Sequence, residues 1–205
     1  LISEEEAILR IDPNDLDQML HPTFDSNELK NGVILTRGLA ASPGAATGKI
    51  YFSSEDVVAA TGRGEEAILV RIETSPEDII GMNASKGILT VRGGMTSHAA
   101  VVARGMGKCC ISGCSNVTVD LTNKTLSTGE KLLHEGDYIS LDGSTGTVYL
   151  GQIKTNETTI SGDFETFMDM VDKHRKLGVK VNADTKSDAL QALKFGAEGI
   201  GLCRT

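Results

Sequence analysis

Between Gly38 and Leu150 the apolar residues fall into runs of four to six, cut apart by glycine and proline: GLAASPGAATGKIYF, AILV, GILTVRGG, CCISG and YISLDGSTGTVYL. Runs of that length are strand-length, too short for a helix core, so the segment is committed to a sheet. Two helical stretches interrupt it. In SPEDIIGMN, Ser75 is placed to cap and Pro76 sits at the first helical position; the other is SHAAVVARGMG. The pattern predicts a compact α/β domain over residues 38–150. The chain's 23 glycines exceed the usual share of roughly 7% and signal many turns or close backbone approaches.

The flanks read differently. Ser3 caps a short helix rich in acids, which Ile11-Asp12-Pro13 ends, and His21-Pro22 closes a second short turn. TFDSNELKNG is polar and reads as a connector, so residues 1–37 are assigned to the end of a preceding domain and its linker. Beyond Leu150, GQIKTNETTI is turn-like, and DFETFMDMVDKHRKLG places Phe164, Phe167, Met168 and Val171 on one helical stripe. Residues 151–178 are therefore a linker helix with its approach. VKVNAD, KSDALQALKFGA and EGIGLC then spell strand, helix and strand, with Ala189, Ala192 and Leu193 expected inward and Gly196 as the helix stop. Residues 179–205 thus open a larger parallel sheet or barrel.

A net charge of −8 argues against nucleic acid or an anionic membrane as a partner, since either demands a basic surface. Anionic ligands must be handled locally. No apolar run approaches the roughly 20 residues of a membrane span, and LISEEEAILR lacks the basic start of a secretory signal. Cys109, Cys110, Cys114 and Cys203 form no disulfide framework, which favours a reducing, intracellular compartment.

Residues 87–108, GILTVRGGMTSHAAVVARGMGK, carry the chemistry. A strand ends at Arg92, Gly93-Gly94 turn the chain, and His98 opens a helix. Backbone N–H groups and the positive end of the helix dipole converge at such a mouth. Glycines let the backbone approach a bulky anion. Neutral imidazole has a free ring nitrogen at physiological pH, so His98 is a candidate nucleophile and phosphohistidine its natural product. Arg92, Arg104 and Lys108 are near enough in sequence to neutralise a phosphoryl group. The plainer alternative is a helix capped by Thr96 or Ser97 in which His98 only hydrogen-bonds.

Competing sites fail on spacing. Ser97 and His98 are neighbours whose side chains diverge, which disfavours a hydrolase triad. The cysteines lack paired zinc spacing and CCIS reads as a buried strand. Gly44-Ala45-Ala46-Thr47-Gly48-Lys49 is one residue short of a phosphate-binding loop, with Ile50 where Ser or Thr belongs. His21, His134 and His174 have no partner pattern.

GGMTSHAAVVARGMGKCC closely resembles the phosphohistidine motif of the phosphoenolpyruvate-utilising enzymes, in the form carried by their dikinase branch. The synthases and Enzyme I of the same family usually carry Arg at the position of Met95 and lack the GMGKCC continuation. DPNDLDQMLHP, GLAASPGAATGKIYF and VNADTKSDALQALKFGAEGIGLCRT share the resemblance, which covers essentially the whole chain. It implies a β/β/α swivelling phosphohistidine domain between a nucleotide-binding domain and a phosphoenolpyruvate/pyruvate-binding (β/α)8 barrel. It further implies that His98 takes a pyrophosphoryl group from ATP, passes one phosphoryl to phosphate and gives the other to pyruvate. Gly93, Gly94, Arg92 and Arg104 are then phosphate-binding candidates, and Arg204 matches an arginine that contacts the substrate phosphate. Thr96 matches a regulatory phosphorylation site. The same resemblance implies Mg²⁺ held by parts outside this chain, a monovalent cation, a cytoplasmic or organellar location, and a homodimer for the full-length enzyme. The alternatives are a synthase that uses water in place of phosphate, or a non-catalytic interaction module.

Overall fold

The computed structural model describes residues 2–13, 16, 20–129, 131–156, 162–183, 186–194 and 196–201. The chain divides into two units, Pro13–Thr159 and a second that joins Leu1–Asp12 to Ile160–Thr205. No helix among the described residues is long and apolar enough to cross a membrane.

The larger unit contains thirteen strands among its described residues: β1 (Thr23–Phe24), β2 (Val33–Arg37), β3 (Leu39–Ser42), β4 (Ala45–Tyr51), β5 (Ala67–Arg71), β6 (Gly87–Thr90), β7 (Cys109–Ser112), β8 (Thr118–Asp120), β9 (Thr125–Thr128), β10 (Lys131–His134), β11 (Tyr138–Asp142), β12 (Thr147–Leu150) and β13 (Thr155–Asn156). Among its described residues are the helices α1 (Ser26–Lys30), α2 (Ser54–Gly62), α3 (Ile79–Ala84) and α4 (His98–Gly105), with a 3-10 turn at Pro76–Asp78.

Eight strands form one sheet in the order β2-β12-β11-β4-β5-β6-β7-β3. The run β4-β5-β6-β7 is parallel, with antiparallel pairing on both sides. Its two edge strands, β2 and β3, are consecutive in sequence and joined by Gly38 alone, so the sheet must curl until its edges meet. Gly38 makes that closure possible: its N–H donates to the Gly146 carbonyl at 2.9 Å, and a Cβ there would lie 2.5 Å from Cys114 Sγ and 2.7 Å from the Ser112 carbonyl oxygen. Any larger residue would force the edges apart.

One face of the sheet is covered by a second, three-stranded sheet, β10-β9-β8. Leu126, Leu133 and Val119 pack there on Ile50, Ile68, Leu89, Ile139 and Leu141. The helices cover the other face, where Val57, Met82, Ala99, Ala100 and Ala103 meet Ala67, Leu69, Ile88 and Cys110. The unit is therefore a β/β/α sandwich, with the mixed α/β architecture expected from the sequence.

Two sequence expectations are revised. Residues 26–37, assigned to the linker, instead supply α1 and the edge strand β2, because Leu35 joins the core and β2 completes the ladder on β12. The approach at 151–160 is likewise anchored within its described part. Thr47 Oγ1 donates to the Ile153 carbonyl at 2.7 Å, the Ile153 N–H donates to Ser140 Oγ at 2.9 Å, and β13 pairs with β1.

In the second unit the helix Glu4–Leu9 is capped by Ser3 Oγ, which accepts the Glu6 N–H at 3.2 Å. It packs against the helix Asp163–His174, and His174 Nε2 lies 3.0 Å from Glu4 Oε2. Lys180–Val181 pairs in parallel with Gly199–Ile200 across the helix Lys186–Lys194, which is the βαβ unit the sequence spells. Gly196 ends that helix with φ +78°, a conformation that favours glycine. Leu193 differs from expectation: it is 67% exposed, since two strands and one helix offer too little surface to cover it.

Candidate functional site

β5 and β6 are parallel neighbours, and their pairing continues past both strand ends: the Val91 N–H donates to the Arg71 carbonyl at 3.1 Å and the Arg92 N–H to the Ile72 carbonyl at 2.9 Å. Two loops, 72–75 and 91–97, are thereby held side by side at the carboxyl ends of parallel strands, where open α/β sheets place their ligands.

The loop after β6 is a tight turn. The Ser97 N–H donates to the Gly94 carbonyl at 3.0 Å, and Gly93 has φ +121°. A Cβ at Gly93 would stand 3.0 Å from Ser97 Cβ and Oγ, so this position requires glycine for both its conformation and its space. Gly94 has no neighbour within 4 Å of a notional Cβ, and its carbonyl closes the turn. Ser97 then caps α4, its Oγ accepting the Ala100 N–H at 3.4 Å. Ala99, Ala100 and Ala103 are buried with 2% or less exposure; these small side chains let the helix lie close to the sheet and fix where its first turn points. His98 is the first residue of that turn.

The loop after β5 is locked by a capping box. The Asp78 carboxylate is buried and accepts the Ser75 N–H at 2.9 Å and the Ser54 hydroxyl at 3.1 Å. The Arg71 guanidinium lies 3.3 Å from it. A buried carboxylate with this many donors is satisfied, and the segment it anchors is rigid. Thr74, one residue before the box, is held with its Oγ1 3.0 Å from His98 Nδ1.

Together the loops enclose an open cavity of about 330 Å³ lined by Glu73, Thr74, Arg92, Gly93, Ser97, His98 and Ala99. Arg92 Nη1 is 3.8 Å from Glu73 Oε1, and both side chains are mostly exposed. Thr74 and Glu73 are site residues that local sequence patterns do not reveal; the signal is only that they follow a strand parallel to the one before His98.

The remaining candidates lie elsewhere. Arg104 does not line the cavity: its Nε donates to the Ala100 carbonyl at 3.1 Å and its Nη2 to the Met95 carbonyl, so it braces the glycine turn from outside. Lys108 lies beyond the far end of α4, where Nζ donates to the Ser85 carbonyl at 2.7 Å and burial pulls its pKa down. Thr96 is exposed on the turn. Arg204 and Cys203 lie outside the described residues. Cys109, Cys110 and Cys114 are buried thiols, and burial pushes the last two up to about 12, which leaves them unreactive.

A cavity with a histidine, two hydroxyls, one arginine and one carboxylate is not a divalent-cation cage, and among the described residues no three His, Cys, Asp or Glu side chains converge. It is suited to holding an anion on an imidazole. With the proton on Nδ1, donated to Thr74 Oγ1, the Nε2 lone pair is the one left for chemistry.

Comparison with known proteins gives the family. The family described as PEP-utilising enzyme, mobile domain, matches residues 63–146, and the PEP-utilising enzyme, PEP-binding domain, matches residues 158–205. Over all 205 residues the chain is 59% identical to pyruvate, phosphate dikinase of Clostridium symbiosum and 55% identical to that of Rhizobium meliloti. Pyruvate, phosphate dikinase 2 of Oryza sativa is 54% identical over the same span. The chain covers 24%, 23% and 23% of these relatives respectively, about a quarter of their length. With both family domains in their order and a histidine-bearing turn at the mouth of α4, the chain belongs to the PEP-utilising enzymes, spanning their mobile domain and residues of their PEP-binding domain.

Proposed function

We propose that His98 is the phosphoryl carrier of a pyruvate, phosphate dikinase, which converts ATP, phosphate and pyruvate to AMP, diphosphate and phosphoenolpyruvate. The observation that carries this reading is the Thr74 Oγ1–His98 Nδ1 contact of 3.0 Å. It holds the ring in one orientation and, with Nδ1–H as donor, keeps the Nε2 lone pair free to attack phosphorus. Nε2 bonds to the β-phosphorus of ATP as the bond to the α-phosphate oxygen breaks, which releases AMP and leaves a pyrophosphorylated ring. Phosphate then takes the terminal phosphoryl as diphosphate, and the enolate oxygen of pyruvate takes the one bonded to Nε2. Nδ1 keeps its proton throughout, so the ring regains its starting tautomer when the last transfer breaks the Nε2–P bond. Arg92 lies where it can neutralise the transferring group, and the N-terminal dipole of α4 acts in the same sense. Gly93 and Gly94 keep the approach clear of side chains.

The carrier alternates between two sites, one on a nucleotide-binding part and one on the barrel to which Arg204 belongs. A tether raises the effective concentration of a labile group at each of them. Residues 179–205 open the barrel that binds pyruvate and phosphoenolpyruvate, and Arg204 is the residue there that meets the substrate phosphate. Mg²⁺ and a monovalent cation belong to those flanking parts, in keeping with the donor set around His98, and supply charge neutralisation where nucleotide and phosphoenolpyruvate bind.

The full-length enzyme loaded with phosphoenolpyruvate labelled in its phosphoryl group will carry an acid-labile, base-stable label that His98→Asn removes. AMP formation will depend on added phosphate. Retention of label in the Asn variant overturns the carrier assignment, and phosphate-independent AMP formation transfers the chain to the synthases.

A further inference from the structure

We infer that Glu73 competes with the carried phosphoryl group for Arg92, so that this pair sets how tightly the histidine holds its cargo. The inference rests on the reading of His98 as the carrier and adds to it a positioning residue that acts through another.

Both side chains line the cavity that His98 opens into. Among its lining residues Arg92 is the one cation, and the neighbouring cations are engaged elsewhere: Arg104 on the Ala100 and Met95 carbonyls, Lys108 on the Ser85 carbonyl, Arg71 on the Phe52 carbonyl and Asp78. Glu73 is carried by a segment pinned on both sides, through the Ile72 carbonyl to the Arg92 N–H and through the Ser75 N–H to Asp78. Its backbone therefore cannot withdraw from the mouth when the site is loaded. The ion pair it makes is long, 3.8 Å, beyond hydrogen-bond reach.

A phosphoryl group on Nε2 brings about two negative charges and three acceptor oxygens. A guanidinium prefers short, paired hydrogen bonds to such oxygens over a long contact with one carboxylate oxygen. Loading therefore draws Arg92 off Glu73, and the carboxylate is left unpaired beside a dianion. That cost falls only on the loaded state, which makes the phosphoryl group easier to hand on. An empty carrier, with the pair closed, presents a nearly neutral mouth.

The test uses the full-length enzyme equilibrated with labelled phosphoenolpyruvate and pyruvate at a fixed ratio, read as the loaded-to-empty ratio at His98. Glu73→Gln is expected to raise that ratio roughly two- to five-fold, the range an exposed ion pair supplies, and to slow transfer to pyruvate. Glu73→Asp is expected to restore part of the wild-type value, and the shift is expected to shrink as ionic strength rises. Arg92→Gln will lower the ratio, and in that background Glu73→Gln will lose most of its effect. An unchanged or lowered ratio in Glu73→Gln, or an equal shift in both backgrounds, overturns the competition. Absence of label from His98 in the wild-type enzyme is a separate result, which defeats the carrier reading itself.

Discussion

The two faces of the curled sheet are built from different materials. Beneath the three-stranded sheet lie large branched side chains, Ile50, Ile68, Leu89, Ile139 and Leu141, all without exposed surface. Beneath the helices the contacts are dominated by alanine: Ala60, Ala67, Ala99, Ala100 and Ala103. The first face buries more apolar area per residue and so supplies more of the stability. The second allows α4 to sit close, with little freedom to slide, and that closeness aims His98 at Thr74. One face holds the fold and the other holds the aim.

The comparison breaks most openly in the core. Leu141→Ala is expected to cost about 2–5 kcal/mol, seen as a lower urea midpoint of this unit, while phosphohistidine formation per folded molecule stays near wild type. A matching loss of phosphorylation would show that the two faces are not separate in their roles. Ala100→Leu probes the other side. Overpacking there is expected to cost about 1–3 kcal/mol, and by lifting α4 it should slow phosphorylation roughly ten-fold or more, the penalty of a displaced reacting atom. Gly93→Ala sharpens the contrast at the turn itself: with φ +121° and Ser97 at 3.0 Å, strain of about 1–3 kcal/mol is expected to reshape the mouth and slow labelling, which rapid-quench kinetics would show. A smaller effect is expected of Thr74→Val, where loss of one hydrogen bond worth about 0.5–1.5 kcal/mol slows loading two- to ten-fold while Thr74→Ser retains most of the rate.

The smallest effect lies far from the cavity. Lys49, Arg63 and Tyr51 donate to the Glu65 carboxylate and hold it at about 2, below its ordinary value of 4.5. A depressed acid contributes stability that is complete above the ordinary value and is lost as the pH falls towards 2. Wild type is expected to lose slightly more stability over that window than Glu65→Gln, a difference to be read from urea midpoints across pH.

Much of this arrangement was legible in the residues. The strand runs from Gly38 to Leu150 became β3 to β7, β11 and β12, because runs of buried aliphatic residues leave the backbone few other choices. The Gly93-Gly94 turn and the cap at Ser97 announced the helix that begins at His98. What escaped were features made by contact between distant segments. The sheet β8-β9-β10 buries little beyond Val119, Leu126 and Leu133, too sparse a pattern to read as strands. β2 carries the apolar run Val33-Ile34-Leu35, but it follows directly on the polar TFDSNELKNG and, as an edge strand, leaves Val33 and Ile34 exposed. Thr74 lies 24 residues from His98 and meets it only through the register of β5 on β6. Lys108 is close to His98 in sequence, yet an eight-residue helix carries it to the opposite end.

The account stands on one nitrogen. Mass spectrometry of the full-length enzyme, quenched under alkaline conditions during turnover with phosphoenolpyruvate, is predicted to find the phosphoryl group on the peptide that contains His98, with fragmentation placing it on that ring. Its recovery on Thr96, Ser97 or any other side chain, with His98 unmodified, would contradict the account.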